Sequence, residues 1–210
     1  MKKYDLYLFD FDGTLLDTEP ALAYVFKTGY EHFGIHFDEK DTLEFARMPL
    51  EQGYKRLGGD MSKFIAFCDY IHDVLDHHEA LINNHLFPDT KEFFELLKKS
   101  GVRAGIVTSN KVSHVKEVLE AMGLPYDVFD IFIGNQECHR FKPLPDPILE
   151  ALKRGNYKGD LSKVVYVGDG INDTLSANAA GVDAVLIDRV DAFPDSDKYV
   201  RLHSLTELFD

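Results

Sequence analysis

"LYLFDFDGTLLDTEP", residues 6–20, opens as a buried strand and then sets two carboxylates, Asp10 and Asp12, one residue apart at its tip. Gly13 and Thr14 follow before the chain turns apolar again. A continuous apolar run, as opposed to an alternating one, marks a strand covered on both faces, as in a parallel sheet. Residues two apart on a strand point to the same side, so Asp10 and Asp12 face together and Phe11 faces inward. Neighbouring carboxylates at the end of a core strand need a compensating charge. Handling a phosphate group together with a divalent metal ion would provide it.

Four further runs read as strands of the same kind: Val102–Val107, Val128–Ile133, Val164–Val167 and Asp183–Ile187, after Tyr4–Phe9. Helical patterns separate them at Lys91–Lys99, Val112–Met122, Pro147–Arg154 and Asp173–Ala180, with Gly101, Gly123 and Gly181 placed to close helices. Strand–helix alternation from residue 88 onward predicts an α/β, doubly wound, Rossmann-like parallel sheet. Residues 17–86 break that rhythm with amphipathic helical patterns at Ala21–Phe33, Leu50–Leu57 and Met61–His85 and no buried strand. The expected organisation is a catalytic core of residues 1–16 and 87–210 with a helical cap, 17–86, inserted after the first strand. Hinges are expected near 14–18 and 82–88.

The 210 residues carry a formal net charge of −13 and are 45% hydrophobic. The acidic balance argues against nucleic acid and against an anionic membrane surface, both of which call for a basic footprint. It leaves room for a small phosphorylated metabolite, because a metal and one or two cations reverse the potential locally. Met1-Lys2-Lys3 is followed by Asp5 and Asp10, which is not the shape of a signal peptide, and no apolar stretch reaches membrane-spanning length. Cys68 and Cys138 read as reduced thiols of a cytoplasmic protein, and the nine histidines show no zinc-ligand spacing. A monomer or homodimer is expected.

In an open α/β sheet ligands bind beyond the carboxyl ends of the strands. Four clusters fall there: Asp10-Phe11-Asp12-Gly13-Thr14, Thr108-Ser109-Asn110, Lys142-Pro143-Leu144-Pro145, and Gly168-Asp169-Gly170-Ile171-Asn172-Asp173. Each has a plain structural reading when taken alone, as solvated loop acids, a turn, a surface lysine or a helix cap. A dinucleotide fingerprint fails in the last cluster, because Asp173 stands where G-x-G-x-x-G requires glycine. Taken together, in order and each at a strand end, they describe phosphoryl transfer. One carboxylate of the first pair attacks phosphorus, and its neighbour gives a proton to the leaving oxygen and later takes one from water. Asp169 is placed as a metal ligand, with Asp173 on the metal or its water shell. Thr108 and nearby backbone N–H groups are placed to hold phosphate oxygens.

These motifs resemble the haloacid dehalogenase-like hydrolase superfamily, in the branch with a helical cap after the first motif that includes phosphoglycolate phosphatases and β-phosphoglucomutases. "DFDGTLLDTEP" is similar to its first motif, "VTSN" to the second, "FKPLPDP" to the third and "VGDGINDTLSANAAG" to the fourth. The resemblance implies that Asp10 is the nucleophile and Asp12 the general acid/base. It implies that Thr108, Ser109 and Lys142 bind the phosphoryl group, and that Asp10, the Asp12 carbonyl, Asp169 and Asp173 hold Mg²⁺. Dehalogenating members lack the acid at the Asp12 position, so its presence favours phosphoester chemistry. The implied activity is a Mg²⁺-dependent phosphatase acting on a small phosphate ester, with a phosphosugar mutase as the alternative. In the cap, "FARMPLEQGYKRL" (45–57) aligns with the substrate-facing loop, where relatives often carry glycine near Arg47. A guanidinium there suits an anionic substrate group; otherwise Arg47 is a surface or cap-stabilising residue.

Overall fold

The computed structural model describes residues 3–46, 48–75, 78–138 and 140–210, with His78 and Glu79 described by their backbone alone. In chain order its elements are β1 (Leu6–Phe9), α1 (Glu19–His32), α2 (Thr42–Ala46), α3 (Leu50–Arg56), α4 (Phe64–Leu75), α5 (His78–Ile82), α6 (Thr90–Ser100) and β2 (Arg103–Val107). There follow α7 (Val112–Ala121), β3 (Ile131–Ile133), α8 (Asp146–Arg154), β4 (Val164–Gly168), α9 (Ile171–Ala180), β5 (Asp183–Ile187) and β6 (Val200–Leu202). They form two compact units, Met1–Leu16 with Leu86–Asp210, and Asp17–His85.

In the first unit the six strands lie in the order β3-β2-β1-β4-β5-β6, each neighbouring pair parallel. The winding reverses between β1 and β4, so the connections leaving their carboxyl ends diverge and open a crevice there. Period-two alternation sorts the side chains of β1 onto two faces. Leu6 and Leu8 join Ile148 and Ala151 of α8 and Ala177 and Ala180 of α9 in one buried cluster. On the other face Phe9 meets Phe93 of α6 edge-on at 5.2 Å and Phe129 at 6.2 Å, and Tyr7 stacks on Phe209 at 6.2 Å. The all-apolar strand is thus a consequence of helices on both sides of the sheet, as the doubly wound reading requires.

The second unit packs around Tyr30 of α1. Its ring stacks on Phe37 at 5.2 Å and lies 4.9 Å from Phe67 of α4, with Phe45 and Tyr54 beyond. Burial pushes the Tyr30 phenol up to about 12, so the ring sits in the core as a neutral group. α1 and α4 approach closely at Gly29, where a Cβ would fall 2.1 Å from Ile71 Cδ1.

Two elements differ from the sequence expectation, and two, α2 and β6, were not foreseen. The pattern over Met61–His85 is not one helix: Met61–Lys63 is a 3₁₀ turn capped by Asp60, and α4 and α5 follow as separate helices. The run Val128–Ile133 is a strand only from Ile131, because Phe129 turns into the aromatic face against Phe9 and Phe94. β6 is a three-residue edge strand whose Val200 is exposed, so it carries no apolar run to read. None of the described helices is long and apolar enough to cross a membrane.

Asp188 ties β6 to the sheet. Its amide donates to the Leu202 carbonyl at 2.7 Å, and its buried carboxylate accepts from the amides of Ala192 at 2.8 Å and Phe193 at 3.0 Å. Burial pushes this carboxyl up, but the donated amides and the Arg201 guanidinium at 3.5 Å outweigh it and hold it below the usual carboxylate range. A carboxyl depressed in the folded state stabilises above the unfolded-state value near 4, and that contribution is lost as pH falls through the folded value. Asp188→Asn is expected to lose about 1–3 kcal/mol of folding stability at pH 7. The gap to wild type should close as pH drops below the ordinary carboxylate range, read by urea unfolding across pH. A gap that stays constant down to strongly acid pH would contradict the assignment.

Candidate active site

Asp10 is the first residue beyond β1, and its amide donates to the Val167 carbonyl at 2.8 Å, extending the ladder between β1 and β4 by one rung. Its side chain is 10% exposed. Phe11 is fully buried, as the alternation predicted. The chain then turns sharply: Leu15 N–H donates back to Phe11 and Gly13 N–H to the Leu16 carbonyl. Gly13 has φ of +72°, and a Cβ there would lie 2.4 Å from Asp169 Oδ2. This position therefore needs glycine both for the left-handed backbone and for the close approach.

The neighbouring strands deliver the remaining groups. Thr108 follows β2, is buried, and accepts from the Asn110 amide at 3.1 Å through its hydroxyl; Ser109 between them is exposed. Asp169 follows β4 and receives the Thr14 hydroxyl at 3.3 Å. Asp173 sits in the first turn of α9, where its Oδ2 accepts from the Gly170 amide at 3.0 Å. A Cβ at Gly168 would fall 2.3 Å from Asp173 Cγ, so only glycine lets the end of β4 and α9 close to this distance. Lys142, from the loop after β3, places Nζ 2.7 Å from Asp10 Oδ1 and 2.7 Å from Asp173 Oδ1.

Carboxylate oxygens of Asp10, Asp169 and Asp173 all lie within 4.8 Å of one another. At an effective dielectric near 20, two charges at that separation repel by roughly 3 kcal/mol. Burial first, and then the other aspartates, push Asp10 well above the ordinary carboxylate range against the pull of Lys142. Burial and Asp173 push Asp169 up to about 6. Burial pushes the Lys142 ammonium down, but Asp10, Tyr166 and Asp173 outweigh it and hold it above its usual value. One ammonium faces three carboxylates, so the cluster lacks positive charge. Its donors are all carboxylate oxygens, the ligand type of hard divalent cations, and the deficit is what such an ion would neutralise. The residues present fit a divalent metal.

Two residues at the site were not singled out from sequence. Asn110 Nδ2 donates to Asp12 Oδ2 at 2.7 Å, holding the second carboxylate from a residue 98 positions away. Tyr166 of β4 lies under Lys142, with Nζ 5.7 Å from its ring centroid, and its hydroxyl donates to the Val107 carbonyl at 2.9 Å. The turn residue Asn110 stood inside the quoted Thr108-Ser109-Asn110 cluster, so its position was visible though its partner was not. Tyr166 looked like any core strand residue. Arg47 lies outside the described residues.

The chain matches the family model described as haloacid dehalogenase-like hydrolase over residues 7–187, and it belongs to that family. Among curated proteins it is 29% identical to a phosphoglycolate phosphatase of Pasteurella multocida, over 88% of this chain and 86% of the relative. It is 26% identical to pyrophosphatase PpaX of Halalkalibacterium halodurans, over 86% and 81%. Among solved structures, a Bacteroides fragilis protein named as a haloacid dehalogenase-like hydrolase is 29% identical, with a TM-score of 0.81, over 98% of this chain and all of that one.

Lys142→Ala leaves Asp10 and Asp173 buried without their shared cation. In chelator-treated protein the loss of folding stability should be about 3–5 kcal/mol, part of it recovered by excess divalent cation. Urea unfolding with and without the cation reads both. A substitution that leaves the chelated protein as stable as wild type would contradict the charge balance described.

Proposed function

We propose that the protein is a Mg²⁺-dependent phosphatase that hydrolyses a small soluble phosphate ester through a phospho-aspartate on Asp10, in the manner of a phosphoglycolate phosphatase. The observation that carries this reading is the pairing at the end of β1. Asp10 sits within a cationic contact to Lys142, and Asp12, two residues on, is held at its own station by Asn110. The names of the relatives, phosphoglycolate phosphatase and pyrophosphatase, support the same class of reaction.

In this reading Asp10 Oδ attacks phosphorus, an O–P bond forms to the carboxylate, and the ester P–O bond breaks. Asp12 gives its proton to the departing alkoxide. It then takes a proton from water as that water attacks phosphorus, which restores Asp10 and releases inorganic phosphate. Lys142 and the Thr108 hydroxyl hold phosphoryl oxygens, and the Ser109 amide adds a donor, since the Thr108 amide pairs with the Ile133 carbonyl and the Asn110 amide with the Thr108 hydroxyl. Asp10, the Asp12 carbonyl, Asp169 and Asp173 would hold Mg²⁺, which when bound neutralises the repulsion between the attacking carboxylate and the phosphate dianion. The helical unit, 17–86 by the sequence reading, serves as the cap that selects substrate. The acid at Asp12 is what separates ester hydrolysis from halide displacement, since an alkoxide leaves poorly without a proton.

Phosphate release from a panel of phosphate esters with Mg²⁺ tests this. Asp10→Asn should abolish turnover, and Asp12→Asn should lower kcat by about 10²–10⁴-fold, the usual span of general acid–base assistance. A cation-loaded protein that releases phosphate from no ester would overturn the phosphatase reading. Isomerisation of a hexose 1-phosphate in its place would move the assignment to a mutase.

A further inference from the structure

Arg189, two residues beyond β5, takes no part in the proposed chemistry, yet its guanidinium is turned inward. The side chain is 17% exposed, and Cζ lies 3.7 Å from the centroid of the Phe87 ring. Nη1 donates to the Gly13 carbonyl at 3.1 Å and Nη2 to the Thr14 carbonyl at 3.1 Å. Nη2 also lies 3.4 Å from both carboxylate oxygens of Asp89, which in turn accepts from the Leu205 amide at 2.6 Å and the Ser204 hydroxyl at 3.1 Å. The next carbonyl along, that of Leu15, takes the Thr90 hydroxyl at 3.0 Å. Three consecutive carbonyls after Asp12 are therefore held by side chains of the first unit, two of them by one planar fork.

That same turn is what touches Asp169. Gly13 leaves no room for a Cβ against Asp169 Oδ2, and the Thr14 hydroxyl lies 3.3 Å from Asp169 Oδ1. A shift of the turn is carried to this carboxylate through the Thr14 hydrogen bond, and the place of the carboxylate beside Gly13 depends on the absence of a side chain there. We propose that Arg189 is a positioning residue for Asp169. By fixing the carbonyls of Gly13 and Thr14 against Asp89, it holds the turn beside the Asp169 carboxylate and sets the geometry of the divalent-cation site. The inference rests on the reading of Asp10, Asp169 and Asp173 as that site. It also assigns Phe87 and Asp89 a purpose: they anchor the guanidinium to the segment by which the chain re-enters the first unit.

Lysine at position 189 keeps the charge but serves these acceptors from a single nitrogen and cannot lie flat on Phe87. Loss of a partner that orients a metal ligand typically weakens the metal 10–100-fold. Calorimetric titration of Mg²⁺ and Mn²⁺ into substrate-free protein, at a temperature where circular dichroism shows each variant folded, reads this without turnover. Arg189→Lys should raise the cation Kd 10–100-fold. Asp89→Asn, which keeps the shape but removes the charge that anchors the guanidinium, should raise it in the same direction. A purely structural role would lower the thermal midpoint and leave the Kd of the folded protein where it was. A folded Arg189→Lys with wild-type cation affinity overturns the proposal. Should that variant fail to fold, an unchanged Kd in Asp89→Asn overturns it. A wild-type protein that binds neither cation overturns the metal-site reading itself, an outcome distinct from the other two.

Discussion

The Lys142 ammonium, 2.7 Å from both Asp10 and Asp173, is the contact on which the arrangement of the first unit turns. It brings a loop after β3, the tip of β1 and the first turn of α9 to one point, and it does so where a third carboxylate, Asp169, already stands. Such a cluster opposes folding unless its charge is compensated. The cost is carried by the surrounding sheet, whose central strands β1 and β4 are buried along their whole length. Concentrated negative charge at the mouth of a rigid apolar core is a donor set that could hold a divalent cation.

The geometry of the site is set by close approaches more than by reach. Gly13 and Gly168 allow backbone to sit against Asp169 and Asp173 at distances no side chain would tolerate. Hydrogen bonds from outside the charge cluster then fix the parts that remain adjustable, Asn110 on Asp12 and Arg189 on the turn after it. The pattern is that of a site held by a supporting shell on rigid elements, where small displacements would be felt as changes in cation and transition-state binding.

Much of this was legible in the amino-acid order, because the sheet is buried on both sides. Continuous apolar runs named β1, β2, β4 and β5 almost residue for residue, and the acids at their ends fell where a doubly wound sheet puts ligands. What was not legible has a common cause. β6 is short and half exposed, and its place depends on Asp188 and Arg201, not on an apolar pattern. The partner of Asn110 lies 98 residues away and the hydrogen-bond partners of Arg189 lie 100, 175 and 176 residues away, so local spacing holds no trace of them. The long helical pattern after Met61 was broken into separate pieces, since amphipathic periodicity marks a face and is silent about interruptions along it.

A crystal soaked in Mn²⁺ and examined by anomalous diffraction tests the central claim most directly, since it asks where this chain holds a divalent ion. The account predicts one strong peak within ligand distance of carboxylate oxygens from Asp10 and Asp169, with Asp173 bound to the ion or to its water. No peak there, or a peak elsewhere while Lys142 still bridges Asp10 and Asp173, would contradict it.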